Sequence, residues 1–323
     1  MKAIRFAKTG GPDVLALEDI DLAPPGGGEV RVRHTAIGVN FIDTYQRSGL
    51  YPVSLPSGLG LEAAGVVDAI GIGVEYFQPG DRVAYCSGPL GAYAEANNVP
   101  AERAVKVPAG ISDETAAASL LKGMTVQYLL KRAYPVKPIE TILFHAAAGG
   151  VGLIACQWAR YLGASVIGTV GSDDKAALAT ENGCAHVLNT RSGDWSARVR
   201  ELTGGAGVPV AYDGIGKDTF AGSLDCLAVR GMLVSFGNAS GAVPSFDPGI
   251  LSAKGSLYLT RPTLFDYIRT AQELQDTADD LFAVIQSGAV KIAINQRFPL
   301  AKAREAHAAL HSRATTGATV LIP

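Results

Sequence analysis

The sequence predicts a two-domain α/β protein in which a β-rich part is interrupted by a doubly wound parallel sheet. Three observations carry that prediction. A chain of 323 residues exceeds what one hydrophobic core usually organises, which leaves room for two domains and a cleft. Its first third consists of short alternating or apolar runs set off by Gly and Pro clusters, the rhythm of folded-over antiparallel β structure. From about Thr125 to Thr260, apolar strand-like runs alternate with helical segments, which implies parallel strands joined by helical crossovers.

In chain order, residues 29–34 and 65–70 read as strands, with PPGGGE and PSGLG among the turn clusters that separate such runs. A capped helix begins near Ser112, where Asp113 and Glu114 precede an Ala run leading towards Lys122 and Gly123. TILFHA opens the alternating region as a strand. After it come the helix LIACQWARYLG, the strand SVIGTV, the helix KAALATENG, the strand HVLN, and later strands in PVAYDGIG and MLVSFG. Beyond Arg261 a helix with a polar face spans residues 267–287, and its Glu273, Asp276, Asp279 and Asp280 form a solvated face. The tail ends in the strand-like ATVLIP. The expected layout is one domain of residues 1–124 and 261–323, with residues 125–260 inserted as the second.

Composition excludes several classes. With 48% apolar and 18% charged residues the chain reads as an ordered globular protein, and a net charge of -2 gives no electrostatic footprint for nucleic acid. The opening MKAIRFAKTGG lacks the apolar stretch of a signal peptide, and no apolar run reaches bilayer length, so a cytoplasmic location is expected. Cys86, Cys156, Cys184 and Cys226 contain no CxxC pair and are expected to be buried free thiols.

The most informative run is AAAGGVG, residues 146–152, because a strand precedes it and an amphipathic helix follows. Aligned to GxGxxG, the pattern that opens a Rossmann dinucleotide-binding unit, Gly149 and Gly152 are the second and third glycines and Ala147 replaces the first. The substitution leaves the mechanism intact, since amides near Gly150 and Val151 and the helix dipole hold the anion. The ribose-reading position about 20 residues further on falls at Gly171 or Ser172. Ser172 donates a hydrogen bond there, and Lys175 with Arg191 supplies positive charge, which favours NADPH over NADH. Asp173 and Asp174 argue the other way if the register slips; the alternative is that they cap the next helix.

These features coincide with a family resemblance. GGPDVL, GVNFIDTYQRSGLYP, LPSGLGLEAAG, AAASLLKGMT, FHAAAGGVGLIACQWAR, SFGNASG, GSLYLTRPT and SRATTG together resemble bacterial NADPH:quinone oxidoreductases of the zinc-free, zeta-crystallin-like branch of the medium-chain dehydrogenase/reductase superfamily. The resemblance runs end to end and implies a GroES-like β-rich catalytic domain plus a Rossmann domain. Zinc-dependent relatives place a Cys and a His where this chain has Asn40 and Leu61, and Glu62 alone cannot build a site that wants three protein ligands, so no metal is expected. Of the histidines, His34 and His145 read as satisfied core or cofactor-facing residues, while His186, His307 and His311 lack ligand spacing.

The resemblance assigns Asn40, Tyr45, Tyr51 and Arg261 to the substrate-facing site. Tyrosine hydroxyls and a guanidinium are suitable donors to the oxygen that becomes negative as hydride arrives. For the cofactor it implies Phe41, Ile42, Asp43 and Thr44, then Tyr128, Gly150 and Val151, residues 171–175, Gly237, Asn238, Ala239 and Ser240, and finally Thr263 and Arg313. At Thr190 the chain departs from the family's VINY segment, which has a Tyr there.

The expected reaction is direct hydride transfer from NADPH to a small carbonyl compound, a quinone, with Asp43 a candidate proton relay. Two alternatives stand beside it: a reductase of enals, enones or enoyl thioesters on the same scaffold, and a nucleotide- or RNA-binding protein without turnover. The apolar strand at residues 255–260 is expected to pair with its twin in a homodimer.

Overall fold

The structure, a computed structural model, describes residues 1–323 and divides into two compact units. The first comprises residues 1–124, 268–286 and 292–323; the second comprises residues 125–267 and 287–291. The chain therefore returns to the first unit at Ile268 rather than Arg261, because Tyr267 stays behind with its ring stacked on Tyr128 at 4.4 Å. Residues 287–291 also belong to the second unit. There Gln157 clamps Lys291, donating to its carbonyl at 3.0 Å and accepting its N–H at 2.8 Å.

The first unit begins with β1 (Lys2–Phe6), β2 (Ala16–Asp19), β3 (Glu29–Val39), α1 (Phe41–Ser48) and β4 (Ser57–Gly58). It continues through β5 (Glu62–Ile70), β6 (Arg82–Tyr85), β7 (Ala96–Pro100) and β8 (Ala104–Lys106) into α2 (Asp113–Tyr128), whose residues from Thr125 on belong to the second unit. The long β3 is the organising strand: it alternates buried residues with half-buried or exposed ones at first, then runs buried to its end, and it pairs antiparallel with both β5 and β7. Val30, Val32, Ile37, Val67, Val83, Tyr85 and Tyr93 pack into the core beneath. The α2 N-terminus is held as expected, with the Thr115 N–H donating to the Ser112 hydroxyl at 3.1 Å.

The second unit is a six-stranded, wholly parallel sheet with helical crossovers. In chain order its elements are β9 (Thr141–Phe144), α3 (Gly150–Tyr161), β10 (Ser165–Val170), α4 (Ala176–Glu181), β11 (Cys184–Asn189), α5 (Trp195–Leu202), β12 (Val208–Asp213), α6 (Phe220–Asp225), β13 (Leu227–Ser235), α7 (Gly249–Ala253), β14 (Tyr258–Thr260) and α8 (Leu264–Tyr267). The spatial order β11-β10-β9-β12-β13-β14 reverses between β9 and β12, which is the doubly wound dinucleotide-binding topology. Strands buried on both faces read as continuous apolar runs, and β10 and β12 do so. The expected edge strand at residues 255–260 shortens to Tyr258–Thr260, because Gly255 and Ser256 both adopt positive φ and turn the chain.

The first unit resumes with α9 (Ala271–Gln286), β15 (Ile294–Pro299), α10 (Ala303–His311) and β16 (Ala318–Ile322). The helix expected over residues 267–287 is thus broken before Ala271. Thr270 and Glu273 form a reciprocal capping box, with the Thr270 N–H on the Glu273 carboxylate at 3.2 Å and the Glu273 N–H on the Thr270 hydroxyl at 3.1 Å. Gln272–Asp276 and Gln275–Asp279 hydrogen bonds line the solvated acidic face. No helix is long and apolar enough to cross a membrane.

All four cysteines are buried and free, and the Cys156 and Cys184 sulfurs lie 3.2 Å apart. Burial pushes the Cys86 thiol up and the Cys226 thiol to about 12; Cys156 rises first through its Cys184 contact and then through burial. A thiol-reactive chromophore is therefore expected to label essentially none of the cysteines in native protein and all four after denaturation. Rapid labelling of the native chain would contradict this packing.

Candidate active site

The parallel sheet delivers most of the expected nucleotide residues to one edge. Gly149, Gly150 and Val151 follow the C-terminal end of β9, Gly171 and Ser172 that of β10, Thr190 that of β11, Gly237–Ser240 that of β13, and Arg261 and Thr263 that of β14. Ligands of such sheets bind at this edge, at the reversal of strand order. Gly149 is the extended N-cap of α3, so the amides of Gly150, Val151 and Gly152 open the helix without carbonyl partners four residues back. Gly152 is needed for contact: a Cβ there would stand 2.2 Å from the Ala146 carbonyl oxygen. The missing first glycine is tolerated because Ala147 is buried in the turn, while the positive φ of 53° falls on Ala146.

Just beyond the end of β10, Ser172 and Lys175 are half-buried. Burial, and next to it the charge of Arg191, pulls the Lys175 ammonium below its ordinary value. An anion beside Lys175 would offset that neighbouring positive charge. Asp173 does not cap the following helix: its carboxylate accepts the Asn189 amide at 2.9 Å, and the helix start has no side-chain cap. The side chain of Thr190 hydrogen-bonds back to the Val170 carbonyl at 3.3 Å.

The loop after β13 is tightly fixed. The Ser240 hydroxyl donates to the Ile215 carbonyl at 2.8 Å, the Ala239 N–H donates to Gly214 O at 3.2 Å, and Gly237 packs on Gly214. Arg261 is exposed, yet its Nη1 donates to the Ser235 carbonyl at 2.8 Å. In the amide orientation that satisfies Asn238, its oxygen accepts from Arg261 Nη2 at 3.2 Å. Tyr128 is buried against Tyr267, and Thr263 is exposed.

In the first unit, Asn40 is the buried N-cap of α1, Phe41 and Ile42 are half-buried in its first turn, and Asp43 and Thr44 are buried. The Thr44 hydroxyl donates to the Phe41 carbonyl at 2.7 Å. Tyr45 and Tyr51 meet edge to face at 5.2 Å, with Phe41 against Tyr45, so three half-buried aromatic rings cluster beside Asn40. Arg313 is exposed after α10 with φ of 58°.

Two carboxylates hold Asn40. Glu62 accepts the Asn40 side-chain amide at 2.7 Å, the Leu121 N–H at 2.7 Å and the Lys122 ammonium at 3.3 Å. Only glycine fits opposite it, since a Cβ on Gly38 would lie 2.1 Å from the Glu62 oxygen. Asp43 Oδ2 accepts the Asn40 N–H at 2.8 Å and the Tyr93 hydroxyl at 2.9 Å, whereas its Oδ1 is buried without a partner. Burial pushes Asp43 up to about 7, against the hydrogen bonds from Asn40 and Tyr93.

The sequence reading missed Arg47, Tyr93, Lys122 and His307 and the use made of Glu62; charged residues inside the apolar runs LGLEAAG and LLKGM were the available signal for Glu62 and Lys122. His34 and His145 are satisfied core residues. His34 contacts Ala94 O and the Tyr85 hydroxyl at 2.7 and 2.9 Å, and burial lowers it to about 4. His145 contacts Thr169 and Ser223 at 2.8 and 2.9 Å.

Residues 26–109 match the alcohol dehydrogenase GroES-like domain family, and residues 150–283 match the zinc-binding dehydrogenase family. A quinone oxidoreductase of Pseudomonas aeruginosa is 57% identical over 100% of this chain and 99% of its own length. This chain belongs to the quinone oxidoreductase family of the medium-chain dehydrogenase/reductase superfamily. The crystal structure of Escherichia coli quinone oxidoreductase complexed with NADPH superposes with a TM-score of 0.99 at 53% identity, covering all of both chains. A 2-haloacrylate reductase of a Burkholderia species is 46% identical over 98% of this chain and 97% of its own. Despite the second family's description, no group of three or more His, Cys, Asp or Glu is placed to hold a metal ion, and Glu62 already has an ammonium partner. The donor set does not fit a divalent cation.

A carboxyl such as that of Asp43, whose pKa rises from 3.8 unfolded to about 7 folded, contributes stability that is fully present below the unfolded value and is lost as pH rises towards and through 7. Between pH 5 and pH 7 the wild type is expected to lose about 2 kcal/mol more than Asp43→Asn in urea unfolding. Parallel pH dependences of the two proteins would contradict the assignment.

Proposed function

We propose that this protein is an NADPH:quinone oxidoreductase. The observation that carries the reading is the dinucleotide turn that opens α3 at Gly149, in a chain that matches an NADPH-bound quinone oxidoreductase throughout its length. Gly149, Gly150 and Val151 hold the pyrophosphate through backbone amides; Gly171, Ser172, Lys175 and Thr190 take the ribose 2′-phosphate. Gly237, Asn238, Ala239 and Ser240 supply a rigid loop for the nicotinamide half, with Tyr128, Thr263, Arg313 and, from the first turn of α1, Phe41, Ile42 and Thr44 as further contacts; Asp43, expected among them, is wholly buried and held by Asn40 and Tyr93. When bound, NADPH supplies the hydride. Tyr45, Tyr51 and Arg261 donate hydrogen bonds to the substrate oxygen on which charge develops, and Asn40 orients the flat acceptor.

Steady-state assays with a quinone panel test this reading. Turnover is expected with NADPH, and Lys175→Ala should raise KM for NADPH about ten-fold, the worth of one charge-assisted hydrogen bond, while changing KM for NADH less than two-fold. Tight NADPH binding without turnover of any quinone would overturn it. The 2-haloacrylate reductase relative favours a second reading, hydride delivery to a carbon conjugated with a carboxylate, which competition between an acrylate and a quinone separates.

We also place the protein in the cytoplasm as a homodimer joined along β14. That strand pairs only with β13, and Tyr258 and Val229 beside it are 57% and 73% exposed. Light scattering should report a dimer for the wild type and a monomer for Tyr258→Asp; a monomeric wild type would refute the assembly.

A further inference from the structure

Arg47, His307, Tyr93 and Asp43 form a single file of buried polar side chains within the first unit. Its direction follows from donor chemistry. A guanidinium has no acceptor, so Arg47 Nη1, 3.1 Å from His307 Nδ1, must donate to it. The imidazole proton is thereby fixed on Nε2, which donates to the Tyr93 hydroxyl at 3.0 Å. Tyr93 in turn directs its own proton to Asp43 Oδ2, the oxygen that also receives the Asn40 N–H. The far end is anchored by Arg47 Nε on the Gly10 carbonyl at 3.2 Å.

We infer that Arg47, His307 and Tyr93 are positioning residues for Asn40, acting through Asp43. The inference rests on the reading of Asn40 as a substrate-site residue. The side chain of Asn40 is set by Glu62, but its backbone N–H depends on Asp43 remaining a strong acceptor. Because Asp43 Oδ1 has no partner, the Tyr93 hydroxyl that ends the file is the one side-chain donor to this carboxylate, and with the Asn40 N–H and the charge of Lys122 it favours the ionised form.

The charged and titratable groups facing this carboxylate are Tyr93, Lys122 and Glu62, with Asp13 near Arg47 at the distal end. His307 stays neutral, since burial and then Arg47 lower it to about 3, and Tyr93 is pushed up. Asp43 is therefore the member of the file that changes charge near neutral pH. Activity should rise as it ionises.

The test is the pH profile of quinone kcat/KM from about pH 5.5 to 9 on the full chain, with an acidic limb read in each protein. Tyr93→Phe removes a donor to ionised Asp43 and should move that limb up by about one pH unit, with kcat at pH 7 down about five-fold and KM for NADPH within about two-fold. His307→Leu should shift it in the same direction. His307→Gln should restore the wild-type limb, because an amide both accepts from Arg47 and donates to Tyr93. If Tyr93→Phe does not fold, the two His307 variants decide, and identical profiles overturn the inference. Asn40→Ala separates the two levels: full activity in it removes the site reading itself, whereas impaired Asn40→Ala beside an unmoved limb in Tyr93→Phe or His307→Leu overturns only the file.

Discussion

Asn40 is gripped from two sides by carboxylates that the fold has removed from water, and the site of the first unit depends on that grip. A buried carboxylate is costly unless donors replace its hydration. Glu62 meets an ammonium, a backbone N–H and the Asn40 amide, and the absence of a Cβ on Gly38 makes room for it. Asp43 has two donors on one oxygen and none on the other, which is why burial outweighs its hydrogen bonds. One clamp is a closed ion pair; the other is poised to titrate.

The second unit uses the same economy of buried polar groups for a different end. Asp213, at the end of β12, accepts the N–H groups of Ile215 and Gly216 at 2.8 and 3.0 Å, and the Thr219 and Ser223 hydroxyls at 2.8–2.9 Å. Ser223 also contacts His145, which follows β9, so the network joins two strands that flank the reversal of sheet order. The loop carrying Gly237 and Ala239 then rests on Gly214. Rigid loop ends at the sheet edge are what a dinucleotide needs if its reactive ring is to be held in one place.

Much of this was legible in the sequence because it is local. The alternation of strands and helices in residues 125–260, the turn before α3 and the Ser112 cap depend on neighbours a few residues away. Local pattern failed where a remote contact overrode it. The return at Ile268 follows from the Tyr128–Tyr267 stack, and Asp173 binds Asn189 instead of capping a helix. Helical periodicity also ran across the capping box at Thr270, which only hydrogen-bond geometry reveals.

By itself the sequence determined the alternation that folds into the doubly wound sheet and the glycine turn, Gly149 and Gly152, between β9 and α3. Each is a matter of residue type and short spacing, which the chain carries in one dimension. Tertiary structure alone decided that Glu62 pairs with Lys122 and that Arg47, His307 and Tyr93 converge on Asp43. Those partners are separated by between 50 and 260 residues, and only burial, by denying them water, makes them find one another.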